Sequence, residues 1–104
     1  MDARSWLEYT GWLRYAARGG HIPGAVHLEW KRTLQGDGTL RPPPQLKALV
    51  QHKGLPPQQR IITYCQSGVR AAHLAWVLGQ LGYEVAVYDG SWAEWGNDPQ
   101  LPVE

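Results

Sequence analysis

Cys65 is the only cysteine in the sequence, and it opens the hexapeptide Cys-Gln-Ser-Gly-Val-Arg, residues 65–70. A thiol in a turn leading from a strand into a helix faces the helix's unpaired backbone N–H groups and the positive end of its dipole, both of which favour an anion. Cysteines so placed commonly titrate at roughly 3.5–7.5 instead of about 8.5, which makes the sulfur a nucleophile at neutral pH. The residues that follow suit that use. Gly68 lets the backbone turn tightly, Ser67 offers a hydroxyl, and Arg70 adds a permanent positive charge. The competing reading of Cys65 is a small hydrophobe buried at a strand end, as free cysteines often are.

The flanking pattern supplies the strand and the helix. Arg60-Ile61-Ile62-Thr63-Tyr64 is a compact β-branched run suited to a buried strand over Ile61–Tyr64. Ala71, Leu74, Ala75, Leu78 and Leu81 recur at helical spacing, and Gly82 stands where a C-terminal cap belongs. Glu84-Val85-Ala86-Val87-Tyr88-Asp89-Gly90 reads as a second core strand. Ser91 and Glu94 lie at the separation of a capping box, so a short last helix begins at Ser91. Upstream, Pro44, the apolar set Leu46, Leu49 and Val50, and a stop at Gly54 predict one short helix. Pro23 and Gly24 lead into a short strand over Ala25–Leu28. Trp6, Leu7, Trp12 and Leu13 fit either a helix or a folded loop, because Gly11 interrupts them. Strand, helix, strand, helix in that order predicts an α/β domain with a parallel sheet.

Composition narrows the function classes. A length of 104 residues with 43% hydrophobic content predicts one domain with a modest core. A net charge of +1 gives no strong field for nucleic acid or an acidic membrane surface, and no apolar run approaches the roughly 18 residues that span a bilayer. A lone cysteine forms no internal disulfide, and the N-terminus carries no export pattern, so a reducing cytoplasm is the expected compartment. No His/Cys cluster marks a metal site.

The motifs also carry a resemblance. The loop Cys65–Arg70 is similar to the active-site loop of the rhodanese family of sulfurtransferases, and Gly19-Gly20-His21-Ile22-Pro23-Gly24-Ala25 resembles that family's Gly-His-Ile-Pro-Gly-Ala segment. The stretch from Tyr88 to Glu104 resembles the end of the catalytic C-terminal domain of two-domain thiosulfate and 3-mercaptopyruvate sulfurtransferases. Asp2-Ala3-Arg4 resembles that domain's Asp-x-Arg opening. The resemblance implies a rhodanese-like α/β fold, a mainly parallel sheet flanked by helices, over residues 1–104. It implies sulfane-sulfur transfer through a persulfide on Cys65, cradled by the backbone of Gln66, Ser67, Gly68, Val69 and Arg70, with Asp2 and Arg4 in support. The partners implied are a small-molecule sulfur donor and a thiol or cyanide acceptor, with no cofactor and no metal.

The departures from the family pattern bear on the donor. Animal thiosulfate sulfurtransferases have lysine at the third loop position and mercaptopyruvate sulfurtransferases have serine, matched here by Ser67. The eukaryotic enzymes carry a substrate-binding arginine where this chain has Glu8, and usually threonine where it has Arg70. Ser67 tilts the expected donor toward 3-mercaptopyruvate. Against it, a carboxylate at Glu8 repels an anionic donor if it faces the pocket and Arg70 is expected to supply the missing charge, so both donors stay open, with thiosulfate slightly ahead. Asp2 is preceded only by Met1, whereas the family's motif closes a central strand. The expectation is therefore a domain truncated at its N-terminus relative to the family, which leaves unpaired backbone groups and invites a homodimer or strand exchange.

Two other function classes compete. Phosphatases and arsenate reductases of the same fold place five residues between Cys and Arg, making a wider cradle; here the four residues Gln66–Val69 intervene, which favours sulfur. Non-catalytic rhodanese-like modules usually lack the cysteine. Of the remaining residues, His21 is read as a structural turn residue, His73 as facing solvent, Asp2 and Arg4 as an ion pair, and at least one of Trp92 and Trp95 as core or pocket wall.

Overall fold

The computed structural model describes residues 1–56 and 59–104. The sequence-predicted α/β order is present: α1 (Trp6–Thr10), a 3₁₀ turn (Trp30–Thr33), α2 (Pro43–His52), β1 (Arg60–Thr63), α3 (Val69–Gln80), β2 (Glu84–Val87) and α4 (Ser91–Trp95). β1 and β2 pair in parallel, Arg60 opposite Glu84 and Thr63 opposite Val87. α3 is the crossover that joins these two parallel neighbours. Its buried face carries Ala71, Leu74, Val77 and Leu78, spaced as one stripe of a helix. That stripe meets Leu28, Val50 and Ile61 in the core, and Cys65 belongs to the same cluster.

The sheet continues on the other side of β1 through single bridges. Asp2 lies between His27 and Tyr64, parallel to both. The Asp2 N–H donates to Val26 O at 2.8 Å and the Ala3 N–H to Tyr64 O at 2.9 Å, while Leu28 N–H donates to Asp2 O at 2.9 Å. The strand expected over Ala25–Leu28 is thus reduced to one bridge at His27, because the segment facing it contributes only one bridging residue. β1 likewise ends at Thr63, with Tyr64 passing into the bridge to Asp2.

β1 is buried on one face only. Ile61 and Thr63 point into the core, but Ile62 is 58% exposed. It faces an apolar cleft of about 550 Å³ whose walls include Met1, Ile22, Tyr88 and Trp95. A fully buried strand was expected, and the period-two alternation of the pleat sends Ile62 to the open side instead.

Helix ends follow local chemistry. α1 starts with the reciprocal capping box of Ser5 and Glu8 and stops at Gly11, whose φ of 90° is left-handed. That settles Trp6–Thr10 as helix and the residues beyond Gly11 as loop. α2 carries proline in its first turn. The capping box predicted for Ser91 and Glu94 does not form: Gly90 holds the cap position without a side-chain bond, and Ser91 has φ 51°. Both side chains are engaged elsewhere, Ser91 Oγ with Tyr88 O and Glu94 Oε1 with the Tyr88 hydroxyl.

Candidate active site

β1, Tyr64 and the N-terminus of α3 enclose the loop 65–70. Gly68 is the helix N-cap, with φ 103°, a conformation that side chains with a Cβ rarely adopt. The Gly68 N–H points back at the Cys65 sulfur, Sγ, at 3.0 Å, and the left-handed turn carries the chain on into α3. Cys65 is 1% exposed, whereas Ser67 and Val69 are exposed, so the sulfur forms the floor of the loop.

α4 braces the loop from behind. Its first N–H groups have no partner inside the helix; the Trp92 N–H donates to Cys65 O at 2.8 Å and the Ala93 N–H to Gln66 O at 2.9 Å. Because a trans peptide holds C=O and N–H on opposite sides, these bonds turn the N–H groups of Gln66 and Ser67 away from α4. The Cys65 N–H donates to Ser91 Oγ at 3.1 Å, and the Ser91 hydroxyl donates in turn to Tyr88 O at 2.8 Å. Gln66 Nε2 reaches Tyr15 O at 3.3 Å. Thr63 Oγ1 donates to Ala71 O at 2.9 Å, fixing the first turn of α3 over β1.

Arg70 does not stand free. Its Nη1 and Nη2 donate to Glu8 Oε1 at 2.8 Å and Oε2 at 3.0 Å. Ser5 holds the same carboxylate through its N–H at 3.3 Å and its hydroxyl at 3.0 Å. Burial alone pushes the Glu8 carboxyl up, but the Arg70 hydrogen bonds and charge together with the Ser5 bonds outweigh it and hold Glu8 below its ordinary range. Hydrogen bonding to Glu8 holds Arg70 above its ordinary value against the cost of burial, with the charges of Glu8 and Cys65 adding to it. The arginine expected to offer its charge to a donor is therefore already paired.

Asp2 and Arg4 form the expected ion pair at 2.8 Å, but at 0% and 1% side-chain exposure it is internal rather than superficial. Arg4 also donates to Gly20 O at 2.6 Å and lies over the Trp92 ring, 4.6 Å from its centroid. Burial first, then Asp2, drives the Tyr64 phenol far up, so it stays protonated. This buried group supports α4, and α4 supports the loop. Trp92 is core, as expected for at least one of the pair; Trp95 forms part of the apolar cleft wall.

His21 occupies its turn, stacked on Tyr9 at 3.8 Å with Nδ1 2.8 Å from Tyr9 O. His73 does not face solvent as expected. It packs edge-on against Trp30 and its Nε2 is 2.9 Å from Thr33 Oγ1, and burial lowers its pKa. The approach of the 3₁₀ turn to α3 is a tertiary event that helical periodicity does not record. Sequence reasoning missed Ser91 as the partner of Cys65 and Glu8 as the partner of Arg70. Nothing local signals either pairing: the Ser5-x-x-Glu8 spacing points only to a helix cap. Among the described residues there is no group of metal-ligating side chains, and no helix is long and apolar enough to cross a membrane.

A parallel sheet, a thiol on the floor of a strand-to-helix loop and a helix N-terminus aimed at it define an α/β domain of the rhodanese type. The chain belongs to the rhodanese-like domain family, whose model matches residues 1–98. It is 42% identical over 104 residues to the thiosulfate sulfurtransferase of Azotobacter vinelandii, covering 99% of this chain and 38% of that protein. It is 46% identical over 114 residues to the thiosulfate sulfurtransferase of Corynebacterium glutamicum, covering 100% of this chain and 37% of that protein. The chain therefore spans under two fifths of the length of these two relatives. A solved structure of EanB with a cysteine persulfide and ergothioneine superposes with a TM-score of 0.89 at 31% identity, covering 99% of this chain and 27% of that one.

Proposed function

We propose that this domain transfers sulfane sulfur through a persulfide on Cys65, with thiosulfate as a donor and a thiol or cyanide as acceptor. The observation that carries the reading is the Gly68 N–H at 3.0 Å from Sγ, at the N-terminus of a twelve-residue helix. The similarity to thiosulfate sulfurtransferases supports the reaction class. The cysteine persulfide in EanB supports the intermediate.

In the first half-reaction the Cys65 thiolate attacks the outer sulfur of thiosulfate. A new S–S bond forms, the old one breaks, and sulfite leaves with its electron pair. In the second, the acceptor attacks the terminal persulfide sulfur, and the electron pair of the S–S bond returns to Cys65. Cyanide leaves as thiocyanate. The anion lies on sulfur before, between and after the two steps, so fixed donors at the loop serve every stage. Gly68 is one such donor, and the loop N–H groups of Gln66, Ser67, Val69 and Arg70 surround the same site in this reading. Asp2 and Arg4 take a supporting role, holding Trp92 and α4 behind the loop. The free thiol suits a reducing compartment such as the cytoplasm.

Intact-mass measurement after incubation with thiosulfate tests the reading. The expected result is a gain of one sulfur atom, removed by cyanide and absent in Cys65→Ser. Thiocyanate production by the Cys65→Ser variant refutes the assignment of Cys65.

A further inference from the structure

The charge balance of the loop is set from outside it. Residues 66–70 contain one cationic side chain, Arg70. Both Glu8 oxygens are taken, Oε1 by Ser5 N, Ser5 Oγ and Arg70 Nη1, and Oε2 by Arg70 Nη2. Glu8 is buried and held by the first turn of its own helix, so it cannot swing away without breaking the α1 cap. Two-point pairing of this kind is among the stronger side-chain contacts. Arg70 keeps further N–H groups for hydrogen bonding, but its positive charge is matched by a fixed carboxylate.

We infer that Glu8 is a specificity-determining positioning residue: by cancelling the charge of Arg70 it biases the Cys65 loop against multiply charged anions and toward neutral or singly charged reactants. The inference rests on the sulfur-transfer reading of the same loop. With Glu8 present, the Glu8, Arg70 and sulfur anion together carry one negative charge; with a neutral residue there they carry none. Thiosulfate brings two further negative charges and 3-mercaptopyruvate one. Coulomb energy scales with the charge of the reactant, so the bias against a dianion is the square, as a rate factor, of that against a monoanion.

Glu8→Gln isolates the charge, because glutamine also completes a capping box. Alkylation of Cys65 by anionic iodoacetate and neutral iodoacetamide reads it without reference to sulfur transfer. The iodoacetate-to-iodoacetamide rate ratio is expected to rise about threefold in Glu8→Gln, and the rise to shrink in high salt. Glu8→Asp, which keeps the charge, is expected to hold the ratio near that of the parent. For sulfur transfer, kcat/KM is expected to rise about tenfold for thiosulfate and about threefold for 3-mercaptopyruvate. An unchanged alkylation ratio in folded Glu8→Gln overturns the inference. Should that variant fail to fold, Arg70→Gln is read in the opposite sense: the ratio is expected to fall, and an unchanged one is equally fatal. Failure of the parent protein to take up sulfur refutes the sulfur-transfer reading instead, and the alkylation ratio still decides the role of Glu8.

Discussion

Arg70 gives both terminal nitrogens to Glu8 across 62 positions of sequence, tying the first turn of α3 to the first turn of α1. The pair fixes one side of the thiol loop, and it also makes stability depend on acidity. Glu8 is held below its ordinary value of 4.5, where burial opposes and Arg70 and Ser5 prevail. A carboxyl depressed in the folded state binds its proton more readily when unfolded. Its contribution is therefore complete above the ordinary value and is lost as pH falls through the folded one. Thermal unfolding followed from neutral pH down to pH ~3 is expected to show a shallower acid decline in Glu8→Gln. A parallel decline in both proteins contradicts this account of the pair.

Ser91 is the second support of the loop, and removing its hydroxyl isolates that support. Ser91→Ala leaves the buried Cys65 N–H and Tyr88 O without the oxygen that now joins them at 3.1 and 2.8 Å. The expected cost is about 1–3 kcal/mol in stability, the penalty of a buried donor left unmet. Ser91→Gly removes the same bond while easing the left-handed φ of 51°, so it is expected to be less destabilising than Ser91→Ala. Urea unfolding of the two variants checks the order.

What was legible in the sequence was whatever a single element dictates. The stripe Ala71, Leu74 and Leu78 placed α3, the β-branched run placed β1, and the junction between them placed Cys65 at a helix N-terminus. The errors arise where partners come from distant parts of the chain. Ser91-x-x-Glu94 has the spacing of a capping box, yet Tyr88 takes the Glu94 carboxylate, and Ser91 serves Cys65, 26 positions away. Ser5-x-x-Glu8 has the same spacing and does form the box. Spacing alone cannot rank two such candidates, because the competitors for each side chain are tertiary. The same limit hid the pairing of Arg70, whose charge was read as available.

His73 offers a second titration, at milder acidity. Burial lowers its pKa while Nε2 is 2.9 Å from Thr33 Oγ1. A histidine depressed in the folded state binds its proton more readily when unfolded, so stability is full above the unfolded value near 6.5 and declines as pH falls through the folded one. His73→Gln keeps a polar group near Thr33 without the titration. It is expected to remove the part of the acid decline that begins at His73's unfolded value, before the carboxylates contribute. Tm measured at closely spaced pH values separates this step from that of Glu8.

At Gly68 backbone conformation and chemistry meet in one residue. Its N–H lies 3.0 Å from Sγ, and its φ of 103° lets the chain turn from that peptide into α3. A Cβ at this position meets the carbonyl oxygen of Asp89 at 3.4 Å, which a small shift accommodates, so crowding is not the main obstacle. The left-handed backbone is. Gly68→Ala is expected to cost about 1–2 kcal/mol in stability, and to relax the turn so that the N–H no longer points at the sulfur. If that donor stabilises the thiolate and the persulfide, loss of one preorganised N–H should slow sulfur uptake from thiosulfate by about 100-fold or more, beyond what the stability loss explains. Rapid-quench intact mass under conditions where both proteins are fully folded measures the difference. A Gly68→Ala variant that is destabilised yet loads sulfur at the parent rate separates the two roles and assigns Gly68 to the fold alone.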